Sequence, residues 1–385
     1  MTSAQPRVAI VSDPLVQRGG AERFVEHLAV LFPDAPIFAV VYSPRTGPES
    51  LADRVIPSFL QKIPLAVSHH RWYLPLFPAA VESFDLSGYD VIVSSHHTAA
   101  KGILRSADQR HICYCHTPMR AVWERPHEEL RTLPAALRPP AASLMKWYRE
   151  WDLLSANRVD RFLANSEVTR KRIEKHYARE AAVLYSPCLL DLFTPGFEPP
   201  EPYYLVSSRD VPYKRIDVAV EATRRAGKKL IITGCRSERY AAPHVEQLGV
   251  VADEVLVRLM RRARALIFPA CEDFGMAPVE VMACGRPVIA YAKGGAMETI
   301  VDGVTGLLVP EQSPEAFAAA IVELERRRFD PIEIRRNAER FSMKRFTDAL
   351  YAEVFGPVRS GDSHERHVVQ VTTGGHHLEA LTGSG

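Results

Sequence analysis

At 385 residues, 46% hydrophobic and 24% charged, the chain is too long for one ordinary domain and too apolar to be disordered. Its 48 Lys+Arg against 46 Asp+Glu leave a formal charge of +2, without the cationic excess of a dedicated nucleic-acid binder. No apolar run approaches the ~18 residues of a membrane span.

Residues 1–15 are not read as a signal peptide, because no basic residue precedes Arg7 and Asp13-Pro14 cuts the apolar run. A strand is expected at residues 7–11, then a polar loop to Gly20 and a helix with Phe24, Val25, Leu28, Ala29 and Phe32 on one face. Further strands are expected at 37–42, 90–95, 111–115, 161–165 and 182–185, with helices around 141–156 and 168–177. Five prolines between 187 and 202 mark a hinge. A second series follows: strands at 203–207, 229–233, 265–268, 287–290 and 306–309, alternating with helices at 214–226, 253–264 and 277–284. Such alternation predicts two α/β units with parallel sheets and a cleft between them, bounded as 1–186, 187–202 (hinge) and 203–338. Residues 339–355 are expected to form a helix returning toward the first unit, and the polar residues 356–385 a mobile tail.

Several chemistries lack their motifs. No Gly-x-Gly-x-x-Gly follows the first strand, no Walker loop is present, and no Asp-x-Asp offers a metal–diphosphate clamp, so no metal or other cofactor is expected. The six cysteines are sparse and form no Cys-x-x-Cys pair, which argues against a disulfide framework or structural zinc site and points to a reducing cytoplasm. Cys113 and Cys115 are read as filling one core face.

The densest stretch runs from Phe268 to Ala290. Glu272 stands in the loop after a buried strand, Phe274-Gly275-Met276 leads into a helix with Pro278 in its first turn, and Glu280 lies on that helix. The amides of residues 275–277 would form an anion site with a carboxylate on either side. The plainer alternatives are that Glu280 caps its own helix and Glu272 is solvated. Earlier, Arg209 follows the first strand of the second unit and Lys214 opens the next helix. Two cations facing the cleft would neutralise a diphosphate without a metal; the alternative is a solvated loop with an Asp210–Lys214 pair.

Arg209-x4-Lys214 followed by Glu272-x7-Glu280 resembles the retaining GT-B glycosyltransferases of family 4, over residues 7–355. Supporting pieces are Gly19-Gly20-Ala21-Glu22-Arg23, Ala164-Asn165-Ser166, and the run from Lys293 to Gly306. The resemblance implies a GT-B fold, two Rossmann-like α/β domains facing across a cleft. It implies a nucleotide-sugar donor whose diphosphate is held by Arg209 and Lys214 and whose ribose is held by Glu280. Glu272 would contact the sugar hydroxyls, and the backbone of Phe274, Gly275 and Met276 the sugar and phosphate. The base would lie near Gln247 and Leu248. Transfer would retain configuration, without a metal, by front-face attack in which the departing phosphate oxygen takes the acceptor's proton.

His116, released at the end of the strand at 111–115, is expected to hydrogen-bond the sugar or steady the sugar cation; a purely structural histidine is the alternative. Gly19 and Gly20 either let backbone amides approach a ligand or only form a turn. The stretch Cys113 to Arg120, with Trp123 and Asp85 to Asp90, is similar to the bacterial mannosyltransferase branch that builds O-antigen and exopolysaccharide. That implies GDP-mannose as donor and a lipid-linked or polysaccharide glycan as acceptor, at the cytoplasmic face of the membrane. Residues 56–77 mix apolar residues with Lys62, Arg71, Trp72 and Tyr73, as a membrane-facing surface or an internally packed loop would. The basic run 170–179 is read as a solvated face. Ser207-Ser208 and Gly234-Cys235 depart from the family pattern around the nucleotide pocket, and the stretch Pro187 to Asp191 departs from it as well. Rival readings are a UDP-sugar transferase, a nucleotide-sugar epimerase of the same fold, and a catalytically silent nucleotide- or glycan-binding subunit.

Overall fold

Strands buried on both faces must be apolar throughout, and the short apolar runs of this chain become parallel strands of that kind. A computed structural model describes residues 6–17, 19–196 and 198–356; residues 357–385, within the expected tail, lie outside them. The first sheet holds β1 (Val8–Ser12), β2 (Ile37–Ala39), β3 (Val55–Pro57), β4 (Val91–His96), β5 (Arg110–Cys115), β6 (Arg161–Ala164) and β7 (Ala181–Val183). Its seven strands run in the order β3-β2-β1-β4-β5-β6-β7. The second holds β8 (Tyr203–Ser207), β9 (Lys229–Thr233), β10 (Val245–Gly249), β11 (Leu266–Phe268), β12 (Val288–Tyr291) and β13 (Gly306–Val309). Its six strands run β10-β9-β8-β11-β12-β13.

Every strand pair is parallel, and both sheets are two Rossmann-like α/β units. In each, the order reverses beside the first strand, between β1 and β4 and between β8 and β11. Loops leaving the carboxyl ends at such a switch point diverge and open a crevice. The loops carrying Gln17 to Gly20, Arg209 to Lys214 and Glu272 to Gly275 all leave from these points.

Two strands escape the pattern reading, β3 and β10. Both are sheet edges, and four of the five β10 residues keep some exposure, so neither carries the apolar run that identifies an interior strand. Residues 56–77 continue β3 into short 3₁₀ turns, with Trp72 68% exposed.

The chain crosses back at its end. The Cys188 amide donates to the Phe341 carbonyl at 2.8 Å, and the helix Met343–Phe355 buries Phe346, Leu350 and Val354 with Phe24 and Tyr114 of the first sheet's core. Tyr351 donates to the Leu31 carbonyl at 2.8 Å and Arg161 pairs with Glu353 at 3.0 Å. Among the described residues no helix is long and apolar enough to cross a membrane.

Candidate active site

On the carboxyl-terminal side, β8 ends in a loop and a 3₁₀ turn, Pro212–Lys214, and β11 ends in the loop holding Glu272. The Lys214 ammonium and the Glu272 carboxylate form an ion pair, with side chains only 14% and 21% exposed. Glu272 is therefore not solvated, and Asp210 accepts from the Tyr240 hydroxyl at 2.7 Å rather than pairing with Lys214. Arg209 reaches the first domain, donating to the Gln17 side chain at 3.0 Å.

The next turn depends on glycine. Gly275 has φ +86°, and a Cβ there would stand 3.0 Å from the Phe268 ring. It precedes the helix Met276–Ala283, whose first amides have no intrahelical acceptor. Phe274 is buried, its ring centroid 5.8 Å from Tyr185 and 5.4 Å from Phe341, so only its backbone remains for a ligand. A Cβ on Gly295 would fall 2.3 Å from the Phe274 carbonyl, which is why the loop after β12 closes on this turn only with glycine there. Its amide donates to the Glu272 carbonyl at 2.9 Å.

Glu280 caps nothing: it is 8% exposed and faces the other domain. Burial pushes its carboxyl up to about 7, opposed by Arg23, whose guanidinium lies 3.7 Å away. The Gln247 amide oxygen accepts from the Ser237 amide (2.8 Å) and its amide nitrogen donates to the Ser237 carbonyl (3.1 Å). The expected base contact cannot use that side chain as it stands, and the Leu248 carbonyl already accepts from Arg236 at 3.0 Å.

On the amino-terminal side, the buried Asp13 carboxylate accepts four amides, from His97, Thr98, Ala99 and Ala100, at 2.6–3.0 Å. It thereby ties the loop after β4 to the loop after β1. Gly19 caps the helix Gly20–Leu31 with extended backbone, so neither glycine is demanded by a left-handed conformation. Space beside Gly19 is filled by the Glu22 carboxylate, 2.7 Å from where a Cβ would be, while Gly20 faces open space. Glu22 is itself buried, which raises its pKa.

His116 sits half-buried at the end of β5, its Nε2 2.9 Å from the Ser95 hydroxyl and its ring edge-on to Phe24 and Tyr114. Burial pushes it down to about 3, so the imidazole is neutral near pH 7. Cys113 and Cys115 are buried and burial raises both thiols, so they are core.

The fold pairs Lys214 with Glu272, while Arg209 and Glu280 each meet the first domain, at Gln17 and Arg23, and it recruits residues the sequence reading passes over. Arg172 is not on a solvated face: it turns inward, pairing with Asp273 and, at 2.5 Å, with Glu124. The Glu298 carboxylate accepts the amides of Glu167 (2.8 Å) and Val168 (3.1 Å) at the start of the helix Glu167–Tyr177. Signals for these were present but mute. Asp273 adjoins Glu272, Arg23 closes the Gly19–Arg23 stretch and Glu298 lies in the Lys293–Gly306 stretch, yet nothing local names their partners. Among the described residues no group of three or more His, Cys, Asp and Glu side chains is arranged to hold a metal ion.

Comparison with known proteins bears on this arrangement. Residues 18–187 match the family described as Glycosyltransferase Family 4, and residues 191–342 the family described as Glycosyl transferases group 1. A D-inositol 3-phosphate glycosyltransferase of Geodermatophilus obscurus is 30% identical over 233 residues, covering 50% of this chain and 52% of that protein. An uncharacterized glycosyltransferase of Methanocaldococcus jannaschii is 29% identical over 176 residues, covering 43% and 49%. The chain thus spans about half the length of these curated relatives. Among solved structures, Anabaena HepE in complex with UDP and glucose aligns with TM-score 0.66 at 18% identity, covering 92% of this chain and 100% of that one. Sucrose-phosphate synthase from Thermosynechococcus elongatus aligns with TM-score 0.68 at 20% identity, covering 90% and 99%. At such identities the likeness is one of fold.

Proposed function

We propose, from the premise that the chain belongs to the group 1 and family 4 glycosyltransferases, that it moves a hexose from a nucleoside-diphosphate sugar to a glycan acceptor with retention of configuration. One observation carries the reading: Lys214 and Glu272, 58 residues apart, are paired at the switch point of the second sheet, beside free helix amides. A donor entering there would divide the pair. The ammonium, with Arg209, would take the diphosphate, whose charge grows as the glycosidic bond breaks, and the carboxylate would take sugar hydroxyls. A neutral His116 would offer the sugar a hydrogen bond without repelling a developing oxocarbenium charge.

In the finer reading the donor is GDP-mannose, the acceptor a lipid-linked or polysaccharide glycan, and the chain a peripheral visitor to the membrane. It rests on the Cys113–Arg120 stretch of the sequence. D-inositol 3-phosphate, the compound in the relative's name, is a further acceptor to assay. No metal is required in this mechanism, because the cations are supplied by side chains.

The test is transfer from GDP-mannose and from UDP-hexoses to membrane-extracted and soluble acceptors, with thermal shifts for GDP and UDP. A ligand at a hundredfold excess over its Kd stabilises by ~2.7 kcal/mol. A GDP shift with mannose transfer supports the full reading. A UDP shift with transfer moves the donor to a UDP-sugar, and nucleotide binding without any transfer leaves a silent binding subunit.

A further inference from the structure

We infer that Arg120 and Arg125, gathered around the ring of Tyr213, form a subsite for a phosphate group carried by the acceptor. The inference rests on the glycosyl-transfer reading and adds the acceptor's chemical class to it. Three cations surround that one ring: the Arg125 guanidinium lies 4.9 Å from its centre, the Lys214 ammonium 5.4 Å and the Arg120 guanidinium 5.7 Å.

Their charges are unequally met. Lys214 is paired with Glu272. The nearby carboxylates Asp273 and Glu124 are both held by Arg172. What is left to Arg120 is a distance of 3.7 Å to Asp273 and 3.4 Å to Glu124, and its buried Nε donates no hydrogen bond. Arg125 is half-buried and, among the described residues, has no carboxylate within ion-pair distance. Among the described residues, the carboxylates paired with Arg120, Arg172 and Lys214 are Glu124, Asp273 and Glu272, three for a group of four cations that includes Arg125. A half-buried cation without a partner, as Arg125 is among the described residues, is costly, and a planar guanidinium matches phosphate oxygens two at a time.

Position separates this subsite from the donor's. Arg120 and Arg125 lie on the first domain, in the segment that follows His116, whereas Tyr213 immediately precedes Lys214 on the second. A phosphate held by the two guanidiniums would stand beside the donor diphosphate, leaving Lys214 and Arg209 to the donor. The shared chemistry is a phosphate monoester or diphosphate, whether on a lipid carrier or on a soluble sugar or polyol.

The experiment is a calorimetric titration of inorganic phosphate into protein mixed with excess nucleoside diphosphate, for wild type, Arg125→Gln and Arg120→Gln. Wild type is expected to take up one phosphate, and each variant to bind it at least tenfold more weakly with nucleotide affinity unchanged. Arg125→Lys keeps the charge but not the fork and is expected to fall between. Displacement of phosphate by a short prenyl diphosphate identifies a lipid carrier as the source; displacement by inositol phosphate identifies a soluble one. No uptake by wild type, or equal uptake by the variants, overturns the subsite. Nucleotide binding is read separately in the same cell, and its absence counts against the transfer reading alone.

Discussion

Arg23, on the first helix of the amino-terminal domain, lies 3.7 Å from the buried carboxylate of Glu280 in the other domain. The same guanidinium pairs with Asp253 at 2.8 Å, so one side chain joins the two domains across the crevice. Because Glu280 is both buried and proposed to hold the donor ribose, its charge state couples folding to ligand binding.

Burial raises the Glu280 carboxyl from 4.5 to about 7. A carboxyl raised on folding favours the folded state fully below its unfolded pKa, and that benefit is lost as pH climbs through the folded value. Relative to Glu280→Gln, the wild type should therefore lose stability between about pH 4.5 and pH 7, by at most about 3 kcal/mol. Urea denaturation of both proteins at pH 5 and pH 8 measures it. A constant difference between them would show that the carboxyl titrates normally.

Replacing Glu272 by alanine would remove the proposed sugar contact and release Lys214 from its ion pair. Transfer is expected to fall ~10²–10³-fold, while affinity for the nucleoside diphosphate stays level or rises. Initial rates beside calorimetry separate the two effects. A variant still transferring within threefold of wild type takes Glu272 out of the reaction.

Lys214 is largely buried whereas Arg209 is open to solvent. Lys214→Ala should weaken nucleoside diphosphate binding ~10–100-fold, the worth of a charge-assisted hydrogen bond. Arg209→Ala should act less, and its effect should fade at high salt because exposed charges are screened. Titrations at low and high ionic strength read both, and equal salt dependence for the two variants would contradict the assignment.

Asp13→Asn keeps the shape but exchanges a carboxylate oxygen for an amide that cannot accept. Two of the four amides now met by Asp13 would face a donor. A loss of about 2–4 kcal/mol is expected in denaturant unfolding. A loss under about 0.5 kcal/mol, the range of ordinary surface substitutions, would mean that solvent replaces those bonds.

Much of the fold is legible along the chain, because an interior parallel strand needs an unbroken apolar run and the turn after it needs particular residues. Tyr203–Ser207, Lys229–Thr233 and Gly306–Val309 emerge at their observed limits for that reason. The edge strands β3 and β10 do not, since an edge tolerates polar, half-exposed residues.

Of the site, the sequence by itself determined the residue types and their position after strands: Arg209 and Lys214 after β8, Glu272 and Glu280 after β11. Whether these are solvated, paired or buried depends on side chains that are distant in sequence. Arg23 and Asp253 are 230 residues apart, Glu298 and Glu167 131, Arg172 and Asp273 101. Charges carry no periodicity that names a partner, and their pairing follows from how two switch points face each other. Only the tertiary structure decided that Lys214 meets Glu272, that Glu280 is buried against Arg23, and that Arg125 faces an aromatic ring without a counter-charge among the described residues.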